Sequence, residues 1–379
     1  MKRIAIVTAT RAEYGLLTPL IRAVDSDREL ELDLIVTGTH LSEKHGNTIS
    51  FIQDDGFLIA HKIPILEEGN TPYDISLTMA NAVKGFAECF RKDRPDALVI
   101  LGDRTEMLGV GCAAMNEQIP ILHIHGGEVT EGAVDDCVRH ALTKMSCLHF
   151  TAAERYRSRV IQLGEDPCRV FNVGSLGTEN ILHAPLMKED EVRKSAGIPA
   201  GMPYAVVTFH PVTLEREAAR EQTKELCQAM CDRQDLFFLM TMANADAGGD
   251  TVNRILAEFA EKHGNARLTA NLGMVRYLSA VKYARFVLGN SSSGILEAPV
   301  LGTPAVNIGE RQRGRMLAES VICCEPGAEE IKAAILTAEK TKHCPAYLYG
   351  DGTASERIVD IIKGAFDKGI EVKKSFYDL

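Results

Sequence analysis

No two cysteines in this 379-residue chain stand in a C-x-x-C pair, although ten are present. Cys89, Cys112, Cys137, Cys147 and Cys168 are scattered, Cys227 and Cys231 are separated by one helical turn, and Cys323 and Cys324 are adjacent. That spacing excludes a zinc ribbon and supplies no disulfide framework, so reduced, buried thiols are expected. No run of Lys and Arg interrupts a formal charge of −10, which opposes polyanions, and nucleic acid is not an expected partner. No window approaches the ~18 apolar residues of a membrane span, so no membrane partner is expected either. The opening MKRIAIVTATRAEYG reaches charged residues too soon and shows no small-residue cleavage site, which argues against a signal peptide and for a cytoplasmic location. GxGxxG is absent after the first apolar run, where a nicotinamide cofactor would need it, and no cofactor is expected.

What remains is an ordinary globular composition, 45 % hydrophobic and 25 % charged. The length exceeds what one core supports, and two domains of roughly 150 to 200 residues follow. Short apolar runs alternate with stretches of helical spacing from end to end, the signature of βαβ units. In the first half, strands are expected at 3–8, 32–37, 57–63, 97–101, 121–125 and 148–151. The helices between them are expected at 16–24, 75–90, 106–116, 136–145 and 154–163. The strands are almost continuously hydrophobic, as strands covered on both faces must be. Segment 173–203, rich in Gly and Pro, reads as a linker. A second cycle follows with strands at 204–209, 236–242, 266–269, 286–288 and 305–308. The expected fold is α/β, two Rossmann-like doubly wound domains facing a central cleft. Residues 1–173 form the first, with an amphipathic helix at 355–368 returning to it, and residues 174–354 form the second.

Parallel sheets bind ligands beyond the carboxyl ends of their strands, and the unusual residues fall there. After the first strand, Arg11 stands at a helix start, where a guanidinium and free N–H groups can hold a phosphate. Asp103 follows the fourth strand in LGDR, and His125 and Glu128 follow the fifth in HIHGGE, with Asp135 and Asp136 close behind. Clustered carboxyl groups such as Asp103, Glu128 and Asp135 have the chemistry to take and return a proton at carbon; helix capping is the rival role for Asp135 and Asp136. His123, His125, Glu128 and His140 invite a metal reading, but no further ligand of suitable spacing stands out, and no metal is expected. In the second half, His210 of FHPVT ends a strand where an imidazole can meet a phosphate. GNSSSGILE then opens a helix: Ser291, Ser292, Ser293 and Gly294 expose N–H and hydroxyl groups to a diphosphate, and Glu297, one turn in, can accept both ribose hydroxyls. Arg313 adds positive charge, and Asn244 is counted with these nucleotide contacts.

Taken together, TATRAEYG, LGDR, HIHGGE, RHALTKMSCLHF, FHPVT and GNSSSGILEAPVLGTPAVNIGERQRGR resemble the UDP-N-acetylglucosamine 2-epimerase family, in order and over nearly the whole chain. GGEVTEGAVDD with RHALTKMS is more similar to the hydrolysing, sialic-acid-pathway branch than to the non-hydrolysing one. The resemblance implies a fold of the glycosyltransferase-B type, UDP held mainly by the C-terminal domain, and a homodimer or homotetramer. It implies removal of the C2 proton of UDP-N-acetylglucosamine, elimination of UDP to a 2-acetamidoglucal, and hydration to N-acetylmannosamine, with neither metal nor NAD. By position, Asp103 and Asp135 match catalytic carboxylates, Arg11 and His210 match phosphate contacts, and Ser291, Ser292 and Glu297 match the uridine diphosphate site. His125 departs from the pattern, since many members carry Glu there in HIEGGE. Either Glu128 or His125 then fills the acid/base role, with Glu128 preferred. The loop before Asp135 is also one residue longer. Members of this branch that use UDP-N,N′-diacetylbacillosamine give an alternative substrate, and a glycosyltransferase or a metal-dependent hydrolase is the alternative of another class.

Overall fold

Burial on both faces is what turns the apolar runs into strands. A computed structural model of the chain describes residues 1–69, 71–129, 134–211, 216–243, 248–270 and 272–379, the side chains of 216 and 217 excepted. Asn244 therefore lies outside the described residues. Two units result: Met1–Asn180 with Tyr349–Leu379, and Ile181–Leu348.

Seven strands build the sheet of the first unit: β1 (Lys2–Thr8), β2 (Leu30–Thr37), β3 (His61–Ile63), β4 (Ala97–Leu101), β5 (Ile121–Ile124), β6 (Leu148–Thr151) and β7 (Val170–Asn172). They run parallel in the order β3-β2-β1-β4-β5-β6-β7. Alternate residues of β1 enter opposite cores. Ile4 and Ile6 join Leu17, Leu20 and Ile21 on one face, and Ala5 and Val7 join Phe86, Met107 and Val110 on the other. Helix Arg11–Ser26 starts where the Thr10 hydroxyl accepts the Glu13 N–H at 3.3 Å, a side-chain cap of the kind that satisfies an otherwise orphaned donor. Helix Ala354–Lys368 lays Ile358 and Ile362 into the same core as Leu17 and Leu20.

The second unit repeats the scheme with β8 (Tyr204–Thr208), β9 (Phe237–Thr241), β10 (Ala266–Thr269), β11 (Phe286–Gly289), β12 (Ala305–Ile308) and β13 (Val321–Cys324), all parallel in the order β10-β9-β8-β11-β12-β13. In both sheets the strand order reverses once, between β1 and β4 and between β8 and β11. Helices leave to opposite faces at such a reversal and open a crevice at the carboxyl ends of the two strands.

Three sequence expectations are corrected. The strand expected at 57–63 forms only at 61–63, because Phe57 turns into the hydrophobic core after the left-handed Gly56 and only Ala60 donates back to β2, at 3.0 Å. The linker at 173–203 contains helices Leu176–Leu182 and Glu189–Ala196, the latter closed by Gly197 at φ +69°. Strands β7 and β13 were not anticipated; each is short and only partly buried, so neither leaves a continuous apolar run. Among the described residues no helix is long and apolar enough to cross a membrane.

Candidate active site

In the N-terminal unit the loops after β1, β4 and β5 are neighbours, because their strands are. Gly102, at φ +74°, turns the chain out of β4, and its N–H and carbonyl are both held: the N–H by the Ile124 carbonyl at 2.9 Å, the carbonyl by His123 Nε2 at 2.8 Å. A carbonyl at Nε2 requires that nitrogen to carry the proton, so Nδ1 accepts from the Thr143 hydroxyl at 3.2 Å. Burial keeps this imidazole neutral, pushing it down to about 3.

Asp103 stands next to this anchored glycine and accepts a hydrogen bond from the buried Arg139 guanidinium. The other arm of Arg139 donates to Asp136 at 3.1 Å. Arg139, Asp136 and the exposed Asp135 all belong to helix Asp135–Met145, one face of which thus meets the Asp103 loop. Val134, not an aspartate, occupies the position before that helix, so neither Asp135 nor Asp136 is its cap.

His125 adopts φ +65°, a left-handed conformation that costs a non-glycine residue roughly 1–2 kcal/mol and is concentrated at functional sites. Its Nδ1 lies 3.5 Å from Glu128 Oε1, and its buried Nε2 has no hydrogen-bond partner among the described residues. Arg11 is exposed, the first residue of its helix, with its guanidinium 4.4 Å from the centre of the Phe51 ring. Behind it Glu13 is buried, and its Oε2 accepts the Ala9 N–H at 2.8 Å while Oε1 has no partner among the described residues. Burial pushes this carboxyl up to about 8 against the opposing pull of the Ala9 N–H and Arg104.

In the C-terminal unit the loops after β8 and β11 are locked to each other. Asn290 Oδ1 accepts the His210 N–H at 2.7 Å, and Asn290 Nδ2 donates to the His210 carbonyl at 2.8 Å. Gly289 makes the approach possible: at φ +139°, any Cβ there would run into the Thr208 carbonyl oxygen. Helix Ser293–Leu301 begins directly after Ser292, its second residue is Gly294, and Ser291 Oγ accepts the Ser293 N–H at 3.4 Å. Tyr277 donates its hydroxyl to Ser293 at 2.7 Å. One turn into the helix, Glu297 buries its Oε2 with no hydrogen-bond partner among the described residues, and burial pushes its carboxyl up, with Ser293 pulling the other way. Arg313 is exposed and pairs with Glu310 at 3.3 Å, whereas its neighbours Arg311 and Gln312 reach the Asn290 carbonyl at 3.3 and 2.9 Å.

Among the described residues one group places three possible metal ligands together, Asp33, His61 and Asp93. Arg3 already contacts both carboxylates of that group. His123, His125, Glu128 and His140 do not form such a group.

The structure also assigns positions that motif reading passed over. Arg139 lies within RHALTKMS, four residues after Asp135, the spacing that puts both on one helix face. Asn290, Gln312 and Glu13 lie inside quoted motifs as well, Glu13 in TATRAEYG, but Tyr277 gave no signal beyond its residue type.

Two parallel α/β units, each with polar loops gathered where its strand order reverses, define an enzyme of the two-domain, glycosyltransferase-B-like class. A family model described as UDP-N-acetylglucosamine 2-epimerase matches residues 22–363, and the chain belongs to that family. It is an epimerase acting on UDP-sugars. It is 39 % identical over 325 residues to a GDP/UDP-N,N′-diacetylbacillosamine 2-epimerase (hydrolyzing) of Campylobacter jejuni, covering 86 % of this chain and 84 % of that relative. It is 40 % identical to the polysialic acid biosynthesis protein P7 of Escherichia coli, over 85 % and 82 % of the two chains. The fold is similar to that of Neisseria meningitidis UDP-GlcNAc 2-epimerase, crystallised with UDP-GlcNAc, at a TM-score of 0.78 and 15 % identity, covering 96 % of this chain and all of that one.

Proposed function

We propose that the protein hydrolyses UDP-N-acetylglucosamine with inversion at C2, releasing UDP and N-acetylmannosamine. The observation that carries this reading is Asp103 held by Arg139, which also holds Asp136 on the helix that carries Asp135, in a chain 39 % identical to a hydrolysing 2-epimerase. A guanidinium hydrogen bond favours the carboxylate form, the form a base needs. A base takes the C2 proton, the C2–H electrons form the C1–C2 double bond, and UDP leaves with the C1–O electrons. Water then adds its hydroxyl to C1 while a proton returns to C2 on the opposite face. Asp103 and Asp135, with Glu128 or His125, share the two proton transfers. His125 and Glu128, 3.5 Å apart, make a second couple through which a proton can pass.

The diphosphate is assigned to the loops after β8 and β11. Helix Ser293–Leu301 presents its positive N-terminal end, His210 offers an imidazole, and Ser291 and Ser292 offer hydroxyls. Glu297 takes the ribose hydroxyls, which compensate its buried and otherwise unpartnered oxygen. Arg11, the first residue of its helix, is assigned to phosphate in the N-terminal unit. The product suits sialic-acid synthesis, a reading supported by the name of the Escherichia coli relative.

The Campylobacter jejuni relative supports a second substrate, UDP-N,N′-diacetylbacillosamine. Ion-exchange separation of products from both nucleotides tests the proposal. Free UDP with N-acetylmannosamine from UDP-N-acetylglucosamine bears it out. Turnover of the diacetylbacillosamine nucleotide alone replaces it with the second reading, and a UDP-linked mannosamine product removes the hydrolytic step.

A further inference from the structure

The segment after helix Ala354–Lys368 does not trail into solvent; it runs along the N-terminal unit under a series of specific holds. Arg169 donates to the carbonyls of Glu371 and Lys373 at 2.9 and 3.2 Å. Phe376 covers Gly164, and Tyr377 donates its N–H to the Gly164 carbonyl at 3.0 Å. Between them Lys374, whose side chain is 18 % exposed, sends its ammonium into the unit.

That ammonium has three N–H donors, and the structure uses all three. One goes to Glu165 Oε2 at 2.6 Å, one to the Ser146 carbonyl at 2.8 Å and one to the Thr143 carbonyl at 3.4 Å. Burial would push the Glu165 carboxyl up, but His149, Lys144 and Lys374 outweigh it and hold the group down at about 2, so it remains an anion. Thr143 and Ser146 close helix Asp135–Met145, the helix that carries Asp135, Asp136 and Arg139. Carbonyls at a helix C-terminus lack intrahelical donors and carry partial negative charge, and a cation there is the matching cap. The hydroxyl of the same Thr143 donates to His123, which holds the Gly102 carbonyl next to Asp103. Lys374 therefore grips the C-terminal end of a helix that reaches Asp103 by two routes, directly from Arg139 and, from the gripped end itself, through Thr143, His123 and Gly102.

We propose that Lys374 is a positioning residue for the reaction: by pinning the C-terminal end of helix Asp135–Met145 it fixes the helix that holds Asp103 and carries Asp135. The inference rests on the catalytic reading of those carboxylates given above. A displacement near 1 Å at a reacting group costs on the order of a hundredfold in rate, so partial loosening lowers kcat by about tenfold or more.

The test compares Lys374→Met, Lys374→Arg and the unaltered full-length protein, well below their unfolding temperatures, for kcat, KM and UDP affinity. The expected result is a kcat lowered at least about tenfold in Lys374→Met with KM and UDP affinity within about twofold, and recovery in Lys374→Arg, whose guanidinium can still serve the carboxylate and carbonyls. A folded Lys374→Met protein with unaltered kcat overturns the inference. Amide hydrogen exchange over 135–145 supplies a readout independent of turnover. Faster exchange there in Lys374→Met is expected, and unchanged exchange overturns the proposal even if the unaltered protein turns over neither nucleotide, an outcome that would itself sink the catalytic reading.

Discussion

Arg139 bridges two carboxylates that the chain keeps far apart, donating to Asp103 across 36 residues and to Asp136 within its own helix turn. The bridge fixes where the Asp103 carboxylate points.

Replacing either end of that bridge should separate chemistry from binding. Asp103→Asn keeps the shape and hydrogen-bonding capacity but removes the base, and a loss of about 10³-fold in kcat is expected, in line with the usual contribution of a positioned proton-transfer group. UDP affinity, measured by calorimetry, should change by less than about threefold. Arg139→Met should lower kcat by about 10²-fold and also destabilise the fold by a few kcal/mol, because it leaves a partly buried carboxylate without its counter-charge. The double variant should be no slower than Asp103→Asn; additive losses would show that the two residues act independently.

Glu13 gives the protein a definite pH dependence. Below its ordinary value of 4.5 the carboxyl is protonated in the folded and the unfolded chain alike. Between there and about 8 the unfolded chain releases the proton while the folded chain retains it. The folded state therefore binds more protons in that window, and stability falls as pH rises, by up to about 1.4 kcal/mol per pH unit from this group. Glu13→Gln keeps an oxygen for the Ala9 N–H and removes the titration. Urea unfolding at pH 5.5, 7 and 8.5 should show the unaltered protein losing stability relative to the variant. Parallel curves for the two proteins would contradict the assignment.

Gly289→Ala places a methyl group against the Thr208 carbonyl and forces a left-handed φ on a residue with a Cβ. A loss of roughly 2–4 kcal/mol is expected, with UDP affinity falling more than tenfold as the lock between the loops after β8 and β11 is broken. Thermal unfolding and calorimetry check the two parts separately. Unaltered UDP binding in a folded variant would remove these loops from the nucleotide site.

Much of this was legible in the sequence, for physical reasons that also mark where legibility ends. Strands β4, β6, β10 and β12 were read residue for residue, and β4, β6 and β12 are buried along their whole length. Strands β7 and β13 lie at sheet edges, where half the surface meets water and the pattern thins. Asp103, Glu128, His210 and Ser291 were singled out because they follow strands, and position after a strand is a one-dimensional fact. Arg139 lay inside a recognised motif, yet its partnership with Asp103 comes from a helix meeting the loop after β4 in space. In GERQRGR no spacing rule ranks one side chain over another; backbone direction alone sends Gln312 inward and Arg313 outward to Glu310. The left-handed His125 is likewise invisible to pattern reading: the glycines that follow it, Gly126 and Gly127, mark a turn without saying that the histidine before them takes a positive φ.

The central claim is elimination through a C2 carbanion-like step followed by hydration, and one measurement reaches it directly: NMR of the protein with UDP-N-acetylglucosamine in D2O. The account predicts free N-acetylmannosamine carrying deuterium at C2, appearing together with UDP. Free N-acetylmannosamine that keeps protium at C2, or UDP-N-acetylmannosamine accumulating with no free sugar, would contradict it.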